Sequence, residues 1–363
     1  MTSSSIPILA PADITPEWVT KVLHKAGHAG VVTDLTSKRV GTGQVGESYR
    51  FGLTYAGGDP KGSPATLVGK FPASDPVSRS AGVNFGNYVR EVRFYRELKQ
   101  TALVTTPHCL HTDVDEETCD FVLIMEDLAP AVAGDQTKGI SVDAAALALG
   151  EAAKLHASHW NDPAVNEMAW ISDTKASPQP LSDDVIGMLW SGFLERYGDR
   201  VKPECVPIGD AVVAHYPKFK YGYTGPKCLI HMDFRPDNMM FGTPAGGRPI
   251  TVVDWQSLGF GCCMGDVSYF LAGAITPEER RANEKQMLKE YHRQLVSLGV
   301  TGYSFEDLWR DYARYSFALF NMGFSASMVV ERTERGDDMF FQMLESGATL
   351  VQDLDAVNLL KSL

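Results

Sequence analysis

The segment from Cys228 to Gln256 restricts this chain more than any other. It reads Cys228-Leu229-Ile230-His231-Met232-Asp233-Phe234-Arg235-Pro236-Asp237-Asn238-Met239-Met240-Phe241, then a Gly/Pro-rich turn from Gly242 to Pro249, then Ile250-Thr251-Val252-Val253-Asp254-Trp255-Gln256. Two short apolar strands flanking a turn bring the polar groups at their ends into one cleft. The spacing H-x-D-x-x-x-x-N, followed by an apolar strand that ends in Asp, provides a carboxylate able to take a proton from an attacking hydroxyl. It also provides oxygen ligands of the kind Mg²⁺ prefers. Phosphoryl transfer needs both sets.

The first third reads as a β-rich unit around one key helix. Thr15-Pro16-Glu17 is an N-cap followed by proline at the first helical position, which predicts a short helix to about Gly27. A β-prone segment from Val31 to Val40 then leads into Gly41-Thr42-Gly43-Gln44-Val45-Gly46, which fits G-x-G-x-x-G. In a dinucleotide-binding fold that motif opens a helix. Here it opens a period-two strand, with Tyr49, Phe51, Leu53 and Tyr55 alternating against Ser48, Arg50, Gly52 and Thr54. A glycine-rich turn between antiparallel strands is the device that covers ATP phosphates in kinases, because missing side chains let backbone N–H groups approach the anion.

The strand Ala65 to Phe71 carries a single lysine, Lys70, near its end, and an ammonium in such a run needs anionic partners. A helix is predicted over Asn84 to Lys99, with Tyr88, Val92 and Tyr95 on one stripe and Glu91 beside it. A carboxylate there can hold Lys70 toward the phosphates. Phe121 to Met125 is a continuous apolar strand that ends in Glu126-Asp127-Leu128, where the chain is expected to cross into a larger helical part.

In that part, Ser141 caps a helix running to about Trp160, with His156 and His159 read as core-packing residues. The segment from Thr174 to Asp184 reads as a loop. Ordinary helix packing accounts for most of the aromatic and Met residues between Phe305 and Val330, while Met188, Leu189, Trp190, Phe193 and the aromatic helix near Trp309 to Phe320 form the candidate acceptor region. Six cysteines at irregular spacing, with no C-x-x-C pair, read as reduced core residues. The start of the chain has no basic residue before Lys21 and no apolar run of spanning length follows, so no signal or membrane segment is expected and the chain reads as cytoplasmic. Among 363 residues, 33 Lys+Arg against 45 Asp+Glu leave a formal charge of −12. That excludes a global basic field for nucleic acid or an anionic membrane.

Together these motifs resemble the aminoglycoside phosphotransferase and choline kinase superfamily, and within it most closely the ecdysteroid-kinase-like branch. The resemblance runs from the loop near Gly41 to the helices after Asp266. It implies an α+β, bilobal protein-kinase-like fold: an N-terminal antiparallel sheet lobe over residues 1–128 that binds nucleotide, and a mainly helical C-terminal lobe over 129–363. It implies ATP and Mg²⁺, with Asp233 as catalytic base, His231 supporting the catalytic loop, and Asn238 and Asp254 as metal ligands. Gly41, Gly43, Gly46 and Ser48 would lie at the phosphates, Lys70 and Glu91 would form the phosphate-orienting ion pair, and the backbone of Glu126 and Leu128 would hold adenine. Asp266 matches an aspartate that braces the catalytic loop, a role compatible with capping the helix that follows.

Met232 stands where many members have glycine, and Gln256 departs from choline kinases and some aminoglycoside enzymes. Trp255-Gln256 replaces the Phe-Gly of protein kinases, and no Ala-Pro-Glu segment follows, so a small-molecule alcohol is the expected acceptor. An apolar, steroid-like alcohol is favoured, with a hydroxyacyl-CoA or an aminoglycoside as alternatives. A nucleotide-binding pseudokinase scaffold is the reading from another class. Oligomeric state is left open.

Overall fold

The structure is a computed structural model describing residues 6–41, 43, 45–58, 61–172, 183–220, 222–329 and 332–362. Helix α1 (Pro16–Lys25) starts where the sequence predicts, with the Thr15 hydroxyl accepting from the Trp18 amide at 3.2 Å. Strands β1 (Val32–Val40), β2 (Gly46–Tyr55) and β3 (Thr66–Pro72) follow. After α2 (Pro76–Asn84) and α3 (Asn87–Arg93) come β4 (Cys109–Val114) and β5 (Phe121–Glu126). Among the described residues these five strands form one antiparallel sheet in the order β1-β2-β3-β5-β4.

The apolar run of β5 is explained by burial on both faces. Val122 and Ile124 pack with Phe51, Leu67, Phe71 and the α1 residues Trp18, Val22 and Leu23, while Phe121 and Leu123 face Tyr88, Val92 and Phe94. Alternate side chains of one strand thus enter two different cores.

The single helix predicted over Asn84 to Lys99 is a correction. Gly86, at φ 64°, takes the left-handed conformation between α2 and α3, and Phe94–Leu98 continues α3 as a π-helical turn. Tyr88, Val92 and Tyr95 are nevertheless buried on one side, as their spacing requires.

Beyond β5 the chain enters β6 (Val132–Ala133) and a mainly helical region. Its elements are α4 (Val142–Ser158), α5 (Pro163–Asn166), α6 (Ala169–Ser172), α7 (Asp183–Tyr197), α8 (Val206–Ala214) and α9 (Tyr216–Lys220). Then come β7 (Cys228–Ile230), β8 (Met239–Thr243), β9 (Gly246–Val252) and β10 (Gly259–Gly261). The helices α10 (Met264–Ala274), α11 (Pro277–Ser297), α12 (Phe305–Tyr315), α13 (Phe317–Val329), α14 (Glu334–Asp353) and α15 (Ala356–Ser362) complete it. The predicted loop at Thr174 to Asp184 lies mostly outside the described residues, and α7 already includes its last two positions.

The expected aromatic pocket is a second correction. Trp190 stacks on Phe193 with centroids 5.8 Å apart and donates its indole N–H to Asp210 at 3.0 Å. Both rings are buried with Phe317, Phe320, Phe324 and Phe341 where α7 packs on α13 and α14. Their hydrophobic stripe fills a helix interface, and Met188 faces solvent. Trp309 lies at a surface groove of about 420 Å³ beside Phe305, Lys285 and Lys289. All six cysteines are free, and Cys205, Cys228, Cys262 and Cys263 are buried. No helix among the described residues is long and apolar enough to cross a membrane.

Candidate active site

Lys70 stands on β3 opposite Ser48 of β2 and Leu123 of β5. Its ammonium reaches two carboxylates, Glu91 on α3 at 2.6 Å and Asp254, just past β9, at 2.8 Å. The Lys70 and Glu91 side chains are only 11% and 2% exposed. Burial alone would lower the lysine, but Asp254 and Glu91 overcome it and hold the ammonium above its ordinary range. Burial, reinforced by the negative charge of Asp254, pushes Glu91 up against the pull of Lys70. Burial also acts to raise Asp254, yet the Lys70 charge outweighs it and keeps that carboxyl below its ordinary range.

The glycine loop meets this group at its base. A Cβ on Gly46 would sit 3.3 Å from Lys70 Cε and 3.2 Å from the Phe71 carbonyl oxygen, and one on Gly43 would sit 2.7 Å from the Gly46 oxygen. Gly41 is left-handed at φ 75°. These three glycines therefore let the hairpin fold tightly against the lysine. Thr42 and Gln44 lie outside the described residues. The Tyr88 hydroxyl, on the helix that carries Glu91, donates to the Val45 carbonyl at 2.6 Å and fixes the loop's end.

The second half of the site is the turn between β7 and β8. Asn238 donates its amide to the Asp233 side chain at 2.8 Å and to the Asp233 carbonyl at 2.9 Å, which leaves its own Oδ1 as the remaining acceptor. His231 is fully buried. Its Nε2–H donates to the Val253 carbonyl at 3.0 Å, so Nδ1 is the acceptor for the Asp233 amide at 3.3 Å. The Val253 amide donates to the Asn238 carbonyl at 2.9 Å. Val253 thus ties Asp254 to both ends of the Asp233 turn, bringing Lys70, Glu91, Asp233, Asn238 and Asp254 together.

Asp266 is not the helix cap: Cys263 precedes α10, and Asp266 lies within its first turn. There it accepts from the His231 amide at 2.6 Å and the Met232 amide at 2.8 Å.

The backbone of the crossing segment is partly committed. The Glu126 amide donates to the His108 carbonyl at 2.9 Å and the Leu128 carbonyl accepts from Ala131 at 2.9 Å. The Glu126 carbonyl and the Leu128 amide take no part in these two bonds.

Several neighbours carry no signal in the motif itself. Arg235 Nε lies 3.0 Å from Asp233 Oδ1 and Arg235 Nη1 lies 3.2 Å from Asp237. Against burial, Asp233 holds that guanidinium even higher than its ordinary range. Tyr269, on α10, donates to Asp233 Oδ1 at 3.3 Å, and burial followed by the Asp233 charge pushes its phenol well up. Arg235 is two residues past Asp233, so spacing could have marked it; Tyr269 comes near only through the fold.

Comparison with known families settles the class. The model of the phosphotransferase enzyme family (APH) matches residues 61–303, more than half of the chain. The chain belongs to that family. It is a small-molecule phosphotransferase acting on a hydroxyl group. A comparison with curated proteins returns no match.

Among solved structures, the phosphotransferase is similar in fold to a microcompartment-associated aminopropanol kinase, at 14% identity and TM-score 0.53, over 93% of this chain and 95% of that one. It is also similar to the choline kinase of Cryptosporidium parvum, at 10% identity and TM-score 0.53, over 89% and 92% of the two chains. The Plasmodium vivax ethanolamine kinase aligns at 11% identity and TM-score 0.52, over 86% and 82%.

Proposed function

We propose that this phosphotransferase moves the γ-phosphoryl group of ATP onto an alcohol, with residues 1–128 holding the nucleotide and 129–363 supplying the catalytic loop and the acceptor side. The contact of Asp254 with Lys70, made between residues far apart in the chain and beside a turn in which Asn238 holds Asp233, carries this reading. The Glu126 carbonyl and the Leu128 amide would hold adenine, and Gly41, Gly43, Gly46 and Ser48 would border the phosphates. Lys70, oriented by Glu91, would meet their charge. The oxygens of Asn238 and Asp254 suit a hard cation, and Mg²⁺ bound there supplies positive charge against the phosphates.

Asp233 would orient the acceptor hydroxyl in line and take its proton as the new O–P bond forms and the bond to the departing ADP oxygen breaks. Tyr269 and Arg235 hold one Asp233 oxygen and Asn238 the other, so the carboxylate is fixed before the acceptor arrives. Replacing Asp233 by Ala is expected to lower turnover by about 10² to 10⁴, the scale of a positioned acid or base. Unchanged turnover in a coupled ADP assay would remove Asp233 from this role.

For the acceptor we infer an uncharged, apolar alcohol of the steroid-like class that the ecdysteroid-kinase-like resemblance suggests. Arg235 supports it by neutralising part of the acidic charge that a polycationic acceptor would need. Trp190, Phe193, Phe317 and Phe320 lend no support, because they are buried in a helix interface. A panel of sterols, hydroxyacyl-CoA thioesters, aminoglycosides, and the amino alcohols named for the structural neighbours tests the choice. Turnover confined to amino alcohols or aminoglycosides would replace this acceptor class while keeping the reaction.

A further inference from the structure

We propose that Glu47, the first residue after Gly46, is a positioning residue for the glycine loop, holding its outgoing arm against the junction of β3 and α2 so that the loop's amides face the phosphates. The inference rests on the loop receiving a nucleotide, but its core is a set of contacts that can be measured without one.

A carboxylate beside a phosphate site repels what the site must bind, so its place there calls for a reason. Glu47 pairs with Phe71 across β2 and β3 while Ser48 pairs with Lys70, and side chains alternate, so Glu47 lies on the face of the sheet away from the lysine. It is 5% exposed. Its Oε1 accepts from the Ser74 hydroxyl at 2.5 Å and from the Ser74 amide at 3.1 Å, and its Oε2 accepts from the Tyr49 hydroxyl at 3.1 Å. Burial acts to raise the carboxyl, yet the Ser74 and Tyr49 donors outweigh it and keep the group below its ordinary range.

These contacts join three segments that meet around the loop. Arg39, near the end of the incoming arm, brings Nη1 to 3.4 Å from Oε1, so one carboxylate meets both arms of the hairpin. Ser74 directly precedes Asp75, the N-cap of α2. The residue before it, Ala73, donates its amide to the Tyr88 hydroxyl at 3.3 Å, and Tyr88 in turn holds the Val45 carbonyl. Two adjacent residues after β3 thus fasten positions 45 and 47, on either side of Gly46. Glycine has no side chain to fix its own peptide, so these flanking bonds set where the Gly46 amide points.

Glutamine and leucine at position 47 separate hydrogen bonding from simple filling of the space. Glutamine keeps an oxygen for both Ser74 donors, whereas leucine fills a similar volume and accepts from neither. Hydrogen exchange of the peptide spanning residues 45–49, with the β5 peptide as internal control, is the nucleotide-free readout. Glu47→Leu is expected to speed exchange there by about 10- to 100-fold with β5 unchanged, and Glu47→Gln to stay within about threefold of the natural protein. In titration calorimetry well below the melting temperature, Glu47→Leu weakens Mg-ATP binding by about tenfold, while Glu47→Gln stays within about threefold. A merely structural role would lower the melting temperature and leave the affinity of the folded protein as it was.

Equal loss in the Leu and Gln proteins, unchanged exchange in the Leu protein, or fast exchange with undiminished Mg-ATP affinity overturns the proposal. Should the Leu protein fail to fold, Ser74→Ala withdraws only the hydroxyl from Glu47. It is expected to raise exchange about threefold in the same peptide and to weaken Mg-ATP binding about twofold, and no change in either overturns the proposal as well. Exchange scores the anchor whether or not a nucleotide binds, and calorimetry on the natural protein tests the nucleotide reading alone, so failure of one is distinguishable from failure of the other.

Discussion

At Gly46 the polypeptide leaves almost no room beside Lys70. A Cβ there would crowd Lys70 Cε at 3.3 Å and the Phe71 oxygen at 3.2 Å, so a methyl group can be accommodated only if the lysine or its strand gives way. Gly46→Ala should therefore leave the fold intact but weaken Mg-ATP binding by about tenfold, the size of one displaced charge-assisted contact. Titration calorimetry with Mg-ATP checks this, and undiminished affinity would separate Lys70 from the phosphates. Lys70 itself is a poorer probe, because its removal strands Glu91, which is 2% exposed, and breaking a buried pair costs about 3 to 5 kcal/mol. The Lys70–Glu91 pairing was legible in the sequence for that reason: a lone ammonium in an apolar strand demands a partner. Asp254 as the second partner was not, since no spacing links residues 70 and 254.

Strands and motifs read well from the sequence because their signals are local. Period-two alternation marks β2, and the His-Asp-Asn spacing between two apolar runs fixes the turn from β7 to β8. Helices read less well where packing decides their bonds. The break at Gly86 and the π-helical turn at Phe94–Leu98 place Phe94 against Trp255, at a centroid separation of 4.1 Å and 12° between planes, and nothing within residues 84–99 announces that partner. Helix packing, the reading given for most aromatics after Phe305, holds for Phe317 and Phe320, whereas the α7 residues Trp190 and Phe193 are not pocket walls, because a helix shows the same periodicity whether its apolar face meets a ligand or another helix.

Element packing also sets a pH response away from the active site. On β4, His111 is buried edge-on to Trp18 of α1, and burial, followed by the charge of Lys25, lowers its pKa to about 4 from 6.5. A depressed pKa means the unfolded chain takes up the proton first, so stability is full above pH 6.5 and is lost as pH falls toward 4. Urea unfolding at pH 7 and pH 5 should show the natural protein losing about 1 to 2 kcal/mol more than His111→Leu. Parallel losses in the two proteins would count against a buried neutral imidazole.

Across the whole molecule, the two parts of the chain are joined by more than the crossing strand. Arg248 of β9 pairs with Glu126 at the end of β5, while Arg50 of β2 holds the next residue, Asp127, at 2.7 Å within the first part. The largest core runs without interruption from Tyr88, Val92 and Phe94 through Phe121 and Leu123 to Trp255, Leu258 and the helices α4 and α10. The helix that presents Glu91 is thus seated on the motif that presents Asp254, and opening that contact would expose Phe94 and Trp255, both fully buried. A shared core of this kind couples the sheet to the helices, so unfolding should be a single cooperative event. Phe94→Ala, at the centre of the junction, should cost about 3 to 5 kcal/mol. Scanning calorimetry is expected to show one transition in the natural protein and one, displaced as a whole to lower temperature, in the variant. Two separated transitions, with only one of them moved by Phe94→Ala, would mean that the parts fold independently and that the Lys70–Asp254 contact is made between modules already formed.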